Sequence, residues 1–367
     1  MMEQSHHTSL DFLTYQGRAA RTNVSGRFEA EQRALFDDGW QSLDEDREKR
    51  QIRTTLHREN PRHALTRNQS PDVPFDRSIN PYRGCEHGCI YCFARPTHTY
   101  MGLSAGLDFE TELFAKDGLA EKLQKELAKP GYKPQPIALG TNTDPYQPVE
   151  REENATRSLL EVMDATNHPV TIVTKSALIL RDLDILKSLA SRQLVKVALS
   201  VTTLDPKVAR LMEPRAATPQ RRLDAIRLLS DAGIPVAAMV APIVPGLTDH
   251  ELEKLLAAVA HAGAEEASYI LLRLPLEVKE LFAEWLEDHF PDRKDKVLSR
   301  LAAMRGGRLN DARFGSRMKG EGVEATLIKT RFARAARAAG LIPYDRQRLR
   351  TDLFIKPSSD VRQLQLI

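Results

Sequence analysis

The stretch Ser78–Arg95 reads SINPYRGCEHGCIYCFAR and holds Cys85, Cys89 and Cys92, the three cysteines of a 367-residue chain. A chain that uses cysteine three times, all within eight residues, is not using it for packing. Thiolates are soft donors suited to zinc or to iron–sulfur clusters. The spacing is C-x3-C-x2-C, flanked by Gly84, Gly88 and Tyr91. Glycines beside ligands let the backbone bend so that the sulfurs can converge. Three thiolates fill three irons of a [4Fe–4S] cube and leave one iron open, whereas a closed cluster takes four cysteines. An open iron points to chemistry rather than plain electron transfer. The competing reading is a Cys3His zinc site with His87 or His98 as fourth ligand. Structural zinc sites usually pair two cysteine knuckles, and this chain has no second pair. The odd cysteine count and the lack of a secretory signature argue against a disulfide framework.

C-x3-C-x-Y-C, with an aromatic residue before the third cysteine, resembles the signature loop of radical S-adenosylmethionine (radical SAM) enzymes. The wider INPYRGCEHGCIYCFAR is similar to the branch that includes spore photoproduct lyase-like proteins. The resemblance runs over roughly two-thirds of the chain, from Arg77 to Arg337. It implies two cofactors, a [4Fe–4S] cluster on Cys85, Cys89 and Cys92 and S-adenosylmethionine on the open iron. It also implies reductive cleavage of the sulfonium to a 5′-deoxyadenosyl radical that takes a hydrogen atom from the substrate. A reducing partner such as flavodoxin or ferredoxin follows from that chemistry.

Hydrophobic content of 41% and charged content of 28% suit a globular protein. No apolar run is long enough to span a bilayer. The N-terminal MMEQSHHTSLDF lacks a basic segment followed by an apolar core, so it does not read as a signal peptide. The expected compartment is the cytoplasm, whose reducing poise suits an oxygen-sensitive cluster. A net charge of +3 is too small to announce nucleic-acid binding by itself.

Residues 1–76 are polar, with little periodicity, and read as a partly disordered extension. From Ser78 the pattern alternates apolar strands and amphipathic helices. The expected strands are Ser78–Tyr82, Pro136–Gly140, Val170–Thr174, Val195–Val201, Val236–Ile243 and Ala267–Leu274. The helices between them are Gly118–Leu127, Asn154–Thr166, Leu180–Ala190, Thr218–Asp231 and Asp249–Ala262. Continuously apolar strands separated by helices imply a parallel α/β sheet, doubly wound or closed into a barrel. The resemblance selects a partial (β/α)6 TIM-type barrel over 77–275. A helical region over 276–345 follows, with helices at Leu276–His289, Lys294–Met304 and Gly322–Ala339, and then a tail over 346–367.

Both sheet types place the site at the strand C-termini. Those positions are polar: Thr143 and Asp144, Lys175 and Ser176, then Ser200, Thr202 and Thr203. S-adenosylmethionine needs a cation for its carboxylate and polar partners for its ribose and amino group. Lys175 suits the carboxylate, Ser200 the ribose or carboxylate, and Thr143 or Asp144 the amino group. The resemblance puts Tyr91 near the adenine. Arg215 suits a carboxylate or phosphate, or else a salt bridge to Glu213. Tyr269 and Arg273 on the last strand face the substrate in this reading.

Arg305, Arg308, Arg313, Arg317, Lys319, Lys329, Arg331, Arg334 and Arg337 form a modest basic cluster. Such a cluster serves either as the solvated face of amphipathic helices or as a contact for DNA or RNA. Photoproduct lyases use an additional cysteine as hydrogen-atom donor near the second strand, and no fourth cysteine exists here. Either Tyr146 or Tyr100 replaces it or the reaction differs, so photoproduct repair is not expected and the substrate stays open. The reading from a different class is a non-catalytic Fe–S or zinc module that binds nucleic acid.

Overall fold

The computed structural model describes residues 17–29, 52–344 and 349–358. Six strands build the frame: β1 Arg77–Ile79, β2 Ile137–Leu139, β3 Val170–Thr174, β4 Val195–Ser200, β5 Val236–Ile243 and β6 Glu266–Leu271. They stand side by side in chain order, and every neighbouring pair is parallel. The register runs through Val173, Ala198, Ala237 and Glu266. These strands are apolar because both faces are covered, one by helices and one by the barrel interior.

Five helices follow the first five strands: α1 Leu119–Leu127, α2 Ala155–Ala165, α3 Leu183–Ser191, α4 Pro219–Asp231 and α5 Leu252–His261. Each buries an apolar stripe at helical spacing, as in Leu119, Leu123 and Leu127 of α1. Burying one such leucine contributes about 2 kcal/mol. Thr218 starts α4 by accepting the Arg221 amide, with Pro219 at the first helical position.

No helix follows β6 directly into the sixth outer position. The chain first forms α6 Val278–His289 and α7 Pro291–Ala303, which pack with Ile90 and Tyr91 of the cysteine loop. Only then does α8 Gly322–Ala338 return to lie against α5 and Tyr269. A two-residue strand, Ile342–Pro343, extends the sheet beyond β6. The tail docks at the opposite end, where Ile355 donates to the Thr166 carbonyl (2.8 Å) and Arg350 to that of Gln193 (3.0 Å).

The described parts of the N-terminal extension contribute short strands and pack along the barrel. Thr55–Glu59 pairs in parallel with Glu112–Lys116, a strand without a clear sequence signal, and Thr66–Arg67 pairs antiparallel with β1. Residues 17–29 form a strap in which Arg18, Ala19 and Ala20 are buried. The remainder of the expected extension and tail, 1–16, 30–51, 345–348 and 359–367, lies outside the described residues.

Inside the barrel Lys196 of β4 and Glu266 of β6 form a buried ion pair at 2.8 Å. Glu266 is in register with Ala237, whose partner on β4 is Ala198, so the pair reaches across the intervening strand β5 on a diagonal past small residues.

Candidate active site at the mouth of the barrel

β1 delivers the chain into the cysteine loop. Cys85 and Cys89 are buried and Cys92 is half-buried. The loop is a run of turns: Gly88 donates to the Cys85 carbonyl, Cys92 to that of Cys89 and Arg95 to that of Cys92, each at 3.2 Å. Gly84 and Gly88 both have positive φ (74° and 65°), a region that favours glycine. A Cβ on Gly88 would also stand 2.7 Å from the Glu110 carboxylate.

Arg95 holds this run of turns together from inside. Its Nε donates to the Cys89 carbonyl (2.9 Å) and its Nη1 to those of Ala105 (3.1 Å) and Gly106 (2.9 Å). Its Nη2 donates to the Gly88 carbonyl (3.1 Å) and to the Glu110 carboxylate (2.5 Å). Both side chains are fully buried. Glu110 also accepts the Ala19 and Ala20 amides of the strap (3.1 and 3.0 Å). On the other side Gln147 accepts the Glu86 amide (2.9 Å) and donates to the Gly84 carbonyl (3.2 Å). The sequence reading passed over Arg95, Glu110 and Gln147. Only the place of Arg95, three residues after the last cysteine, could have flagged any of them.

Beside Cys89 the strand ends converge on a second buried group, Glu213. It accepts hydrogen bonds from Tyr91 and Arg222 and from Thr202 (2.7 Å). Arg222 donates further to the carbonyls of Ser200 (3.0 Å) and Ala217 (2.8 Å). Burial opposes ionisation of Glu213, but Arg222 and Lys175 outweigh it and hold its pKa at about 2. Burial likewise opposes the charge on Lys175, yet Cys89, Glu213 and Asp144 keep its pKa above the ordinary lysine value. Among the described residues its ammonium makes no hydrogen bond, so it presents free donors to the mouth. Burial pushes the Cys89 thiol up to about 12, and Cys85 is raised for the same reason. Apart from any metal, these sulfurs are held as thiols.

Tyr91, Lys175 and Glu213 therefore lie around Cys89, and the Ser200 carbonyl is tied to this group through Arg222. Other expected site residues do different work. The Asp144 carboxylate already accepts from the Thr174 hydroxyl (2.6 Å) and the Lys175 and Tyr146 amides (3.0 and 2.9 Å). The Thr143 hydroxyl donates to the Tyr82 carbonyl (3.0 Å). Both shape the end of β2 rather than wait for an amino group. Arg215 pairs with Glu86 at 3.2 Å, not with Glu213, whose guanidinium partner is Arg222.

Neither tyrosine stands where a hydrogen-atom donor would. Tyr146 is fully buried in the core and its hydroxyl donates to Asp182 (3.0 Å). Tyr100 is 71% exposed and stacks on Phe28 at 5.1 Å. Tyr146→Phe is therefore expected to cost about 1 kcal/mol through the lost hydrogen bond and to leave S-adenosylmethionine cleavage intact. A urea titration and a nucleoside assay on the same variant check both parts.

Of the two histidines in the zinc reading, His87 is buried with its Nδ1 3.4 Å from the Asp144 carboxylate. His98 is turned aside, its Nε2 at 2.9 Å from the Glu112 carbonyl and its ring against Phe109. No three His, Cys, Asp or Glu side chains among the described residues come together closely enough to hold one metal ion. A single zinc demands that convergence, whereas a cube takes each thiolate on a separate iron. The donor set, the turns and the free Lys175 ammonium fit a [4Fe–4S] cluster with S-adenosylmethionine beside it.

A parallel partial barrel whose first strand feeds a three-thiol loop at the mouth is the architecture to compare with known proteins. The family model of the Radical SAM superfamily matches residues 79–259. The superfamily uses a [4Fe–4S] cluster and S-adenosylmethionine. An uncharacterized protein of Mycobacterium tuberculosis is 39% identical over 222 residues, which cover 60% of this chain and 65% of that protein. The match thus spans less than two-thirds of the length of the mycobacterial relative. An uncharacterized protein of Methanocaldococcus jannaschii is 26% identical over 227 residues, 62% of this chain and 81% of that one. Among solved structures, a spore photoproduct lyase complexed with dinucleoside spore photoproduct aligns with TM-score 0.55 and 17% identity. That alignment covers 78% of this chain and 81% of that one. A mutant of that lyase with bound AdoMet and dinucleoside spore photoproduct aligns equally well. At these identities the likeness bears on the fold alone.

Proposed function

We propose that this protein is a radical SAM enzyme whose cluster is carried by Cys85, Cys89 and Cys92. The observation that carries the reading is the buried three-thiol loop at the C-terminal mouth of a parallel barrel, next to an ammonium with free donors. When bound, the cluster supplies the electron that splits the sulfonium of S-adenosylmethionine and so generates a 5′-deoxyadenosyl radical. The chain's own part is to hold and shield. Lys175 offers its ammonium to the carboxylate of S-adenosylmethionine. Ser200 and Tyr91, set by the Arg222–Glu213 pair, line the nucleoside side. A small reducing protein of the flavodoxin or ferredoxin kind supplies the electron. The substrate class we favour is nucleic acid. All three cysteines serve as ligands, so no thiol is left as hydrogen-atom donor, and photoproduct repair of the cysteine-dependent kind is not the reaction proposed.

The test is anaerobic reconstitution. About four irons and four sulfides per chain are expected, with 5′-deoxyadenosine released on dithionite reduction in the presence of S-adenosylmethionine. Stoichiometric zinc and no nucleoside product would instead establish the non-catalytic module. Cys89→Ala is expected to abolish both iron binding and cleavage. Lys175→Ala should retain iron and weaken S-adenosylmethionine binding about tenfold or more, the loss of one charge-assisted hydrogen bond. Full iron occupancy in Cys89→Ala would contradict the ligand assignment.

A further inference from the structure

The basic cluster after β6 is largely consumed within the fold. Arg313 pairs with Asp311 and Glu321, Arg331 with Glu253, and Arg317 with Asp72. Arg305 is buried and donates to the carbonyls of Leu271, Leu272 and Arg317. Arg308, Lys329, Arg334 and Arg337 of that cluster have no acid partner among the described residues, and neither does Arg273, which lies before the cluster and in a more telling place. Arg273 follows β6 at the mouth of the barrel. Among the described residues its guanidinium makes no hydrogen bond and no ion pair, and its only ring contact is with Phe93, 4.5 Å from the ring centre. Phe93 directly follows Cys92 and is 43% exposed.

A second pair of the same kind stands beside the first. Arg317 lies 4.8 Å over the ring of Phe314, which is 60% exposed. Arg317 is fixed by Asp72 and Ser70, both at 2.5 Å. Its segment runs along the end of β6: Leu271 donates to the Met318 carbonyl (2.9 Å) and Leu274 to that of Leu309 (3.3 Å). Burial and the neighbouring Arg317 both work against the charge on Arg273. A chain of contacts thus runs from the cysteine loop outward: ring, uncompensated guanidinium, fixed guanidinium, ring.

Two adjacent guanidiniums with a single carboxylate between them repel, and an anion placed on Arg273 relieves that repulsion. A planar guanidinium matches phosphate oxygens in pairs. Open aromatic faces offer stacking to any base, worth about 1–3 kcal/mol each. A carboxylate ligand would use the cations but not the rings. We propose that Phe93, Arg273, Arg317 and Phe314 form a ledge for a single-stranded nucleic-acid segment, with phosphate on Arg273 and bases on the two rings. This rests on, and deepens, the choice of nucleic acid as substrate class. The ledge would lead a strand to the cluster loop, since Phe93 adjoins Cys92.

The probe is a fluorescein-labelled single-stranded oligothymidylate of about twelve nucleotides, within the span such grooves cover. Its binding to the reconstituted full chain is followed by fluorescence anisotropy at several salt concentrations. Arg273→Gln is expected to weaken binding about 3- to 10-fold and to reduce the slope of log affinity against log salt by about 0.7, one phosphate contact. Phe314→Ala should weaken binding about fivefold or more and leave that slope unchanged. Unchanged melting temperatures show that both variants fold. Three results would overturn the ledge: no binding by the wild-type chain at low salt, unchanged affinity in both variants, or equal competition by a polyglutamate peptide. The wild-type chain separates this idea from the enzyme reading. Release of 5′-deoxyadenosine without oligonucleotide binding sinks the ledge alone; binding without that product sinks the enzyme reading alone.

Discussion

Arg95→Ala is expected to leave the protein unable to retain its iron. The guanidinium makes five hydrogen bonds, two of them to the carbonyls of Gly88 and Cys89, the residues between and at two of the ligands. Removing it takes a donor from four carbonyls, of which only that of Cys89 keeps another among the described residues, the Cys92 amide. It also strands a fully buried carboxylate, Glu110, whose remaining side-chain partners are the amides of Ala19 and Ala20. Removing one partner of a buried ion pair costs about 3–5 kcal/mol. That is a large part of a domain stability of about 5–15 kcal/mol. The damage is concentrated on the cysteine loop and on the strap of residues 17–29, because those are what the Arg95–Glu110 pair joins. Iron per chain after reconstitution should fall about fivefold or more, and the urea midpoint should drop. Arg95→Lys restores a charge for Glu110, but one ammonium cannot reach five acceptors in a fork, so an intermediate iron content is expected. Wild-type iron content and urea midpoint in Arg95→Ala would show that the loop holds itself. Should that variant not fold, Glu110→Gln keeps the bonds from Arg95 to the carbonyls while removing the charge, and should lose less iron.

The second large effect concerns Glu213→Gln. The substitution keeps the shape but leaves Arg222 buried without a counter-charge, again at about 3–5 kcal/mol. Lys175 loses one of the anions that support its charge. The effect has a definite pH dependence. Burial raises the Glu213 pKa, but Arg222 and Lys175 bring it down to about 2, below the ~4.3 of a free glutamate. The folded state therefore binds this proton less readily than the unfolded chain. Its stabilising contribution is complete above the unfolded value and is lost as pH falls toward 2. The stability gap between wild type and Glu213→Gln should thus be widest above pH ~5 and should close on acidification. Chemical denaturation of both proteins at a series of pH values measures it. A gap that is constant with pH would mean that Glu213 is not ionised in the fold.

Much of the architecture was legible from local pattern. Val170–Thr174 and Val236–Ile243 came out with the expected bounds, and the other strands differ by a few residues at their ends. Runs such as VTIVT and VAAMVAPI are buried on both faces, and that demand shows in composition. The sequence left a doubly wound sheet and a barrel both open, because strand closure depends on twist and shear rather than on any one segment. The strand Glu112–Lys116 was missed: its ELFAK has no run long enough to read, and its partner Thr55–Glu59 lies far away in the chain.

The site divides in the same way. Three cysteines in one loop point to a metal or cluster site by number and spacing alone, and the family resemblance chose the cluster over zinc. Lys175 and Ser200 were singled out because a polar residue closing an apolar strand is visible locally. Thr143 and Asp144 met the same rule and yet turned out to brace β2. Tyr146 and Tyr100 were chosen by type, and burial and exposure removed them from the mouth. Whether a side chain is free or already bonded is settled by residues distant in sequence.

What the sequence alone determined, then, is the alternating strand–helix frame and the three-thiol loop, because both are written in neighbouring residues. The pairings that hold the loop, Arg95 with Glu110 and Glu213 with Arg222, were decided only by the tertiary structure. So were the docking of the 17–29 strap and the isolation of Arg273. A buried charge takes whatever counter-charge the fold brings within reach, and that partner carries no mark in the chain until the strands have come together.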